Sequence, residues 1–329
     1  MRTQSIRSMF VKAVTASVLG AAAVSGSVAV AQDSFPEKSV LAIVPFGAGG
    51  GNDILLRLMA KHAGEVMGQT LVIENKPGAS GQIGWTTLAK SRPDGYTIGA
   101  TSLPSMVLVK AMRPNTPFEL SDFTYICNIQ VDPIVWVVNA DGPYTSGKSF
   151  VAAAEKAKQP LNVAGDGPQS NVQLQHLSAT EALGVKTNFV PFNGSNAALT
   201  ALMGSKVEMA ASTLSAAQNY IDSGKLKALV VFSDEPIATI PNVPTASAEL
   251  GKAIEPVGMA IRGLAAPKGV PADRIGKLES VCKQTAESPD FQKEAAQLGL
   301  MIQYMDSNKA EATIQASVKA VESLKELLK

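Results

Sequence analysis

The chain has 329 residues, with 29 Lys+Arg against 28 Asp+Glu (formal net charge +1), two Cys, two His and 46% apolar residues. That length corresponds to about two domains, and the apolar share is enough to fill real cores, which excludes wholesale disorder. His62, His176, Cys127 and Cys282 cannot make a Cys/His metal cluster. A near-neutral chain with 5% aromatics also carries no electrostatic footprint for nucleic acid and few stacking platforms for it.

The first segment holds Arg2, Arg7 and Lys12 with no acid, then an apolar, Ala/Val-rich stretch from Ala13 to Val30 that closes on Ala29-Val30-Ala31. This is the three-part anatomy of a secretory signal peptide, with cleavage expected after about Ala31. No Cys follows the run to carry a lipid anchor, and no later segment approaches the roughly 18 apolar residues of a membrane span. Cleavage removes three positive charges and takes the formal charge from +1 to −2. The mature chain is therefore expected in the periplasm. Cys127 and Cys282 could pair in such an oxidising compartment, but their neighbours look like buried strand and helix positions, so two separate free thiols are expected.

From Val40 on, strand-like runs alternate with helix-like stretches, the signature of a mostly parallel α/β sheet. Strands are expected at 40–44, 71–74 and 96–100, with helices at 52–67 and 82–90. A second series starts near Phe123, with strands at 136–138, 162–164, 188–191 and 207–211 and helices at 149–157, 171–183, 196–203 and 215–223. Strands at 226–232 and 258–265 and amphipathic helices at 272–287 and 309–328 close the chain. No long linker separates the series. The pattern suggests two α/β domains sharing the chain, one of residues 32–101 plus 225–329 and the other of 102–224. Two crossovers, near Ser102 and Lys225, would then form a hinge with a cleft.

The strongest local constellation is Phe46-Gly47-Ala48-Gly49-Gly50-Gly51-Asn52-Asp53, after a predicted strand and opening a predicted helix. Such a turn aims free N–H groups and the positive end of a helix dipole at one point, which favours an anion. Glycine lets a bound oxygen approach the backbone without meeting a Cβ. The match to G-x-G-x-x-G fails at Asn52, although Glu74 stands where a dinucleotide site wants its acid. A plain strand-to-helix turn capped by Asn52 or Asp53 would not need three consecutive glycines. A second loop of similar design is Gly165-Asp166-Gly167-Pro168-Gln169-Ser170-Asn171, with Ser170 or Asn171 as N-cap.

Gly142-Pro143-Tyr144-Thr145-Ser146-Gly147-Lys148-Ser149 satisfies G-x-x-x-x-G-K-[ST] literally. Pro143 removes an amide donor, Tyr144 is bulky for a phosphate-wrapping loop, and a Ser N-cap explains the same residues. No G-x-S-x-G elbow occurs, and His62 and His176 fall inside predicted helices without an acid placed to orient them.

Taken together, the blocks Phe35-Pro36-Glu37-Lys38, Ile43-Val44-Pro45-Phe46 with its glycine run, Glu74-Asn75-Lys76-Pro77-Gly78-Ala79-Ser80-Gly81, Pro93-Asp94-Gly95-Tyr96, Phe189-Val190-Pro191-Phe192-Asn193-Gly194-Ser195, Gly224-Lys225-Leu226-Lys227-Ala228-Leu229, Pro241-Asn242-Val243-Pro244-Thr245 and Ala265-Ala266-Pro267 resemble, in order, the Bug-type extracytoplasmic solute receptors of tripartite tricarboxylate transporters. The resemblance implies a two-lobed periplasmic-binding-protein fold, type II-like, that closes on a small carboxylate. It implies a pincer of Phe46–Asp53 and Gly165–Asn171, with Ser80 and Ser102 lining the first lobe and Asn193-Gly194-Ser195 and Ser212-Thr213 the second.

The chain departs from that pattern in several places. Val172 and Gln173 stand where relatives often carry His, Ser212 where they commonly carry an acid, Ile261-Arg262 where an aromatic pair is frequent, and Ser102-Leu103-Pro104-Ser105 where Thr-His is common. Arg262 is either a surface residue or faces the cleft to pair with a second ligand carboxylate. The reading is a monomeric, non-enzymatic receptor without cofactor or metal. It would take a di- or tricarboxylate, amino acid or aromatic acid to a membrane permease. The rival readings are an exported α/β enzyme acting on a small acid, against which the missing nucleophile-base-acid set counts, and a sensor that signals to a membrane kinase.

Overall fold

Alternation of apolar runs with helices on both sides produces sheets whose strands are buried on both faces, and the chain builds two of them. The computed structural model describes residues 35–113 and 115–328, so the expected signal peptide lies outside the described residues. In chain order the elements are β1 (Val40–Val44), α1 (Gly51–Met67), β2 (Leu71–Asn75), α2 (Gln82–Ala89), β3 (Thr97–Leu103), α3 (Ser105–Met112), β4 (Phe123–Asp132), β5 (Ile134–Asn139), α4 (Gly147–Lys156), β6 (Leu161–Gly165) and α5 (Asn171–Leu183). They continue as β7 (Thr187–Pro191), α6 (Ser195–Met203), β8 (Met209–Thr213), α7 (Leu214–Asp222), β9 (Leu226–Phe232), α8 (Ala246–Leu250), β10 (Ala260–Pro267), α9 (Ala272–Glu287), α10 (Pro289–Gln297), β11 (Met301–Met305) and α11 (Ser307–Leu324).

The first sheet has the order β11-β4-β10-β3-β1-β2 and the second β7-β6-β8-β5-β9. Each forms one lobe. Alternating side chains send Val40, Ala42 and Val44 to one face, beneath α1, α9 and α10, while Ile43 and Leu103 face α2, α3 and α11. In the second lobe Val135 and Val137 face α6 and α7, and Trp136 and Val138 face α4, α5 and α8.

Two expectations are corrected here. The sheets are mixed rather than mostly parallel, because β10 pairs antiparallel with both β3 and β4, and β5 pairs antiparallel with both β8 and β9. The chain also changes sheets later than expected: between Asp132 and Ile134, across the single residue Pro133, and again between Phe232 and Ala260. The pattern of strand and helix does not say which sheet a strand joins, and β4 crosses directly into β5 with no helix to mark the switch.

The thiol expectation is overturned as well. Cys127 on β4 and Cys282 on α9 form a disulfide. Both positions are buried, as their neighbours suggested, but α9 lies on the sheet face that carries Cys127, so burial brings the two together in one core. The Gly142–Ser149 segment is a capped helix start: Ser146 accepts the Ser149 amide at 3.2 Å, Tyr144 packs edge-on to Phe150, and the Lys148 amide donates to Glu249. His176 is buried against Trp136 and Phe189, within 2.7 Å of the Thr187 hydroxyl, and burial pulls its pKa down to about 3. It is a neutral core residue. His62 pairs with Glu294 at 2.9 Å.

Candidate functional site

Four helices of nine residues or more begin at one cavity between the two sheets. Gly50, Gly51 and Asn52 start α1, Asn171 starts α5, Gly194, Ser195 and Asn196 start α6, and Thr213 precedes α7. The cavity volume, traced by the centre of a water-sized sphere, is about 30 Å³. A helix start offers N–H groups without intrahelical partners and a partial positive charge. At α7 the Leu214 and Ser215 amides already donate to the Pro133 carbonyl and the Asp132 carboxylate, and at α5 the Asn171 and Gln173 amides donate to Ser105 and Ser170. The two helix starts named from the sequence, those of α1 and α5, share the cavity wall with those of α6 and α7.

Of the first loop, Phe46, Gly47, Ala48, Gly50, Gly51 and Asn52 line the cavity. Gly49 and Asp53 do not. Gly49 takes a left-handed backbone (φ +77°) in which a side chain would be strained. Asp53 is turned back into the loop, where it accepts from the Gly49 amide, the Arg57 guanidinium and the Asn75 amide, each at 2.9 Å. Burial alone would raise the Asp53 pKa, but these bonds outweigh it and hold the carboxyl below its ordinary range. Asp53 shapes the loop instead of facing a ligand. Phe46 is fixed edge-on against Trp85, whose indole N–H donates to Ala100 at 3.0 Å.

The glycines are not equivalent. A Cβ at Gly50, whose backbone is extended, would meet nothing nearer than the Gly47 carbonyl at 3.4 Å, while one at Gly51 would collide with the Arg262 guanidinium and the Ser215 hydroxyl. Gly51→Val should therefore abolish binding and also destabilise the fold by about 1–3 kcal/mol of overpacking. Gly50→Ala should leave melting unchanged and weaken binding only through the space its methyl takes. Calorimetric titration beside thermal melting of both variants checks this, and normal binding by Gly51→Val would sink the assignment.

On the second loop Asp166 and Asn171 line the cavity, and Gly167 lines a smaller one beside it with Ser80. Gly165 does not, because a Cβ there would run into the Phe189 ring, so it is a packing glycine. Ser170 caps α5 by accepting the Gln173 amide at 3.1 Å. The Gln169 side chain accepts from Arg113 at 2.8 Å. Ser212 is also misplaced: its hydroxyl donates to a backbone carbonyl at 3.1 Å, and Thr213, one residue on and so on the opposite face of β8, lines the cavity. Ser102 and Asn193 line it.

The lobes touch at the cavity's edge. Ser80 donates to the Pro168 carbonyl at 2.6 Å, and Arg113 reaches both Ala79 (2.6 Å) and Gln169. Ala79, Ser80 and Gln169 are three of the four non-glycine residues with left-handed backbone among the described residues. Such conformations persist only where the surroundings impose them, and these meet at the contact between the lobes. Ser105, at the start of α3, donates to Asn171 at 2.7 Å, while Asn171 donates to Gly258 at 2.8 Å.

Arg262 is 3% exposed and lies in the cavity wall, so the surface alternative falls. Its charge is already matched: it pairs with Asp132, 1% exposed, and donates to Gln130 at 3.1 Å. Asp132 also accepts from the Ser215 amide at 3.1 Å, in the first turn of α7. Sequence reasoning missed Asp132, Ser215 and Asn196. The one available signal for Asp132 was an acid ending an apolar strand before Pro133. Among the described residues no group of His, Cys, Asp and Glu could hold a metal ion, and no helix is long and apolar enough to cross a membrane.

The family model described as "Tripartite tricarboxylate transporter family receptor" matches residues 55–328. The chain belongs to that family. A relative described as "UPF0065 protein in gbd 5'region" of Cupriavidus necator is 29% identical over 296 residues, covering 90% of this chain and 89% of its own. The solved periplasmic binding protein BugD is similar at TM-score 0.81 and 28% identity, over 89% of this chain and 98% of its own. MatC of Rhodopseudomonas palustris, solved with bound malate, is similar at TM-score 0.79 and 26% identity, over 90% of this chain and all of its own. As a family receptor, this protein is a periplasmic-type solute-binding protein of two α/β lobes.

Proposed function

We propose that this protein is an exported receptor whose lobes close on a small organic carboxylate and whose closed form delivers it to the membrane permease of a tripartite transporter. The observation that carries the reading is the convergence of four helix N-termini on one cavity between the lobes. Backbone N–H groups and helix dipoles bind an anion there without a free cationic side chain. Malate in MatC supports a small organic acid as ligand, and the contacts of Ser80 and Arg113 join the two lobes beside the cavity, where a ligand that favours the joined lobes would shift the population toward them. The basic start, the apolar run and Ala29-Val30-Ala31 support export with cleavage after about Ala31, as does the disulfide.

A thermal-shift screen of the chain from Gln32 onward against organic acids tests the proposal. At least one carboxylate should stabilise it saturably, by about 2.7 kcal/mol at a hundredfold excess over Kd, and chromatography should recover that ligand unchanged. Absence of any stabilising carboxylate, or appearance of a product, overturns the receptor reading.

A further inference from the structure

Buried polar atoms without partners mark what a ligand must supply, since leaving them unmatched is costly. Among the described residues, four such side-chain atoms belong to residues that line the cavity: Asn52 Oδ1, Asp166 Oδ1, Thr213 Oγ1 and Arg262 Nε. Asn52, Thr213 and Arg262 are each at most 4% exposed. Arg262 Nε is a donor and Thr213 can serve either way, but the two Oδ1 atoms accept. A ligand made only of carboxylates offers these acceptors no hydrogen. The formal charges of the wall point the same way. Arg262 and Asp132 neutralise each other, which leaves the Asp166 carboxylate without a counter-ion of its own. Its other oxygen meets the Ser195 hydroxyl at a long 3.4 Å.

We infer that Asp166 is the specificity-determining residue of the cleft and that it selects a ligand bearing a cationic amine beside its carboxylate. The helix N-termini take the carboxylate, and Asp166 with Asn52 accepts the N–H groups of the ammonium. Burial pushes the Asp166 carboxyl up to about 6, against the lowering effect of Ser170, Arg262 and Ser195. A bound ammonium supplies the charge that would relieve that cost. A second anionic group in its place would face Asp166 directly or force it to take up a proton.

This inference rests on the receptor reading, and matched pairs separate the two. Isothermal titration at pH 7.5 would compare alanine with propionate, aspartate with succinate, glutamate with glutarate, and phenylalanine with 3-phenylpropionate, on the wild type and on Asp166→Asn. At least one amine is expected to bind tenfold or more tighter than its amine-free partner, and Asp166→Asn should erase that preference. The variant should be folded, melting no lower than the wild type at pH 7.5. Equal or tighter binding of the amine-free acids by the wild type, or a preference that survives in Asp166→Asn, overturns the role of Asp166 and leaves the receptor standing. Failure of every acid in both columns brings down the receptor and this inference together.

Discussion

Arg262→Ala should cost about 3–5 kcal/mol of folding stability, because removing one member of a buried ion pair leaves the other charge uncompensated. Arg262 and Asp132 are 3% and 1% exposed in their side chains, and without the guanidinium Asp132 keeps only the Ser215 hydroxyl and the start of α7. A loss of that size is a large part of the 5–15 kcal/mol that holds a typical protein folded. Denaturant unfolding should show it as a lower midpoint at unchanged slope. The pair also sits where the lobes join: Asp132 is the last residue before Pro133, the Pro133 carbonyl accepts the Leu214 amide at 2.8 Å, and Arg262 belongs to β10 of the first sheet. The double variant Asp132→Leu/Arg262→Met should regain most of the lost stability, since well-packed apolar replacements of a buried pair are often neutral. It should still bind poorly, having lost the Arg262 Nε donor. If the double variant is no more stable than Arg262→Ala, the uncompensated charge is not the cause.

This node shows where sequence reasoning reaches and where it stops. Local signals carried the elements well: the apolar run Val40–Val44 and the helix Asn171–Leu183 stand where the pattern put them, because each is set by neighbouring residues. The glycine loop was legible for the same reason, since three glycines before a helix leave few other readings. Asp132, Asn196 and the Cys127–Cys282 bond were not, because each depends on which strand lies beside which, and apolar periodicity is silent about that. Ser212 and Thr213 differ by one residue, the shift that moves a side chain from one face of a strand to the other. Asp53 and Asp166 both belong to glycine-rich segments, yet one is consumed by Arg57 and Asn75 and the other lines the cavity. The difference lies in side chains brought from elsewhere in the fold.

Reducing the Cys127–Cys282 bond should lower stability by about 2–5 kcal/mol. The cysteines are 155 residues apart, and in the chain-entropy account a closed loop of that length restricts the unfolded chain by about 5 kcal/mol, an upper value because unfolded chains retain structure. With roughly 2–4 °C per kcal/mol for a chain of this size, melting with and without a reductant should differ by on the order of 10 °C. Cys127→Ala/Cys282→Ala should melt like the reduced protein. Neither cysteine lines the cavity, so ligand affinity below the melting range should stay as it was; a reduced protein that melts like the oxidised one would show that α9 is held to the sheet by packing alone. The crosslink and the ion pair share one strand, with Cys127 in the middle of β4 and Asp132 at its end. Arg262 itself stands two residues from Leu264, whose partner across the strands is Cys127, within the roughly 7–10 Å over which effects couple. The two losses should therefore couple: Arg262→Ala under reducing conditions should differ in stability from the sum of the two separate losses by about 0.5 kcal/mol or more, and a strictly additive result would show that the crosslink and the ion pair act independently.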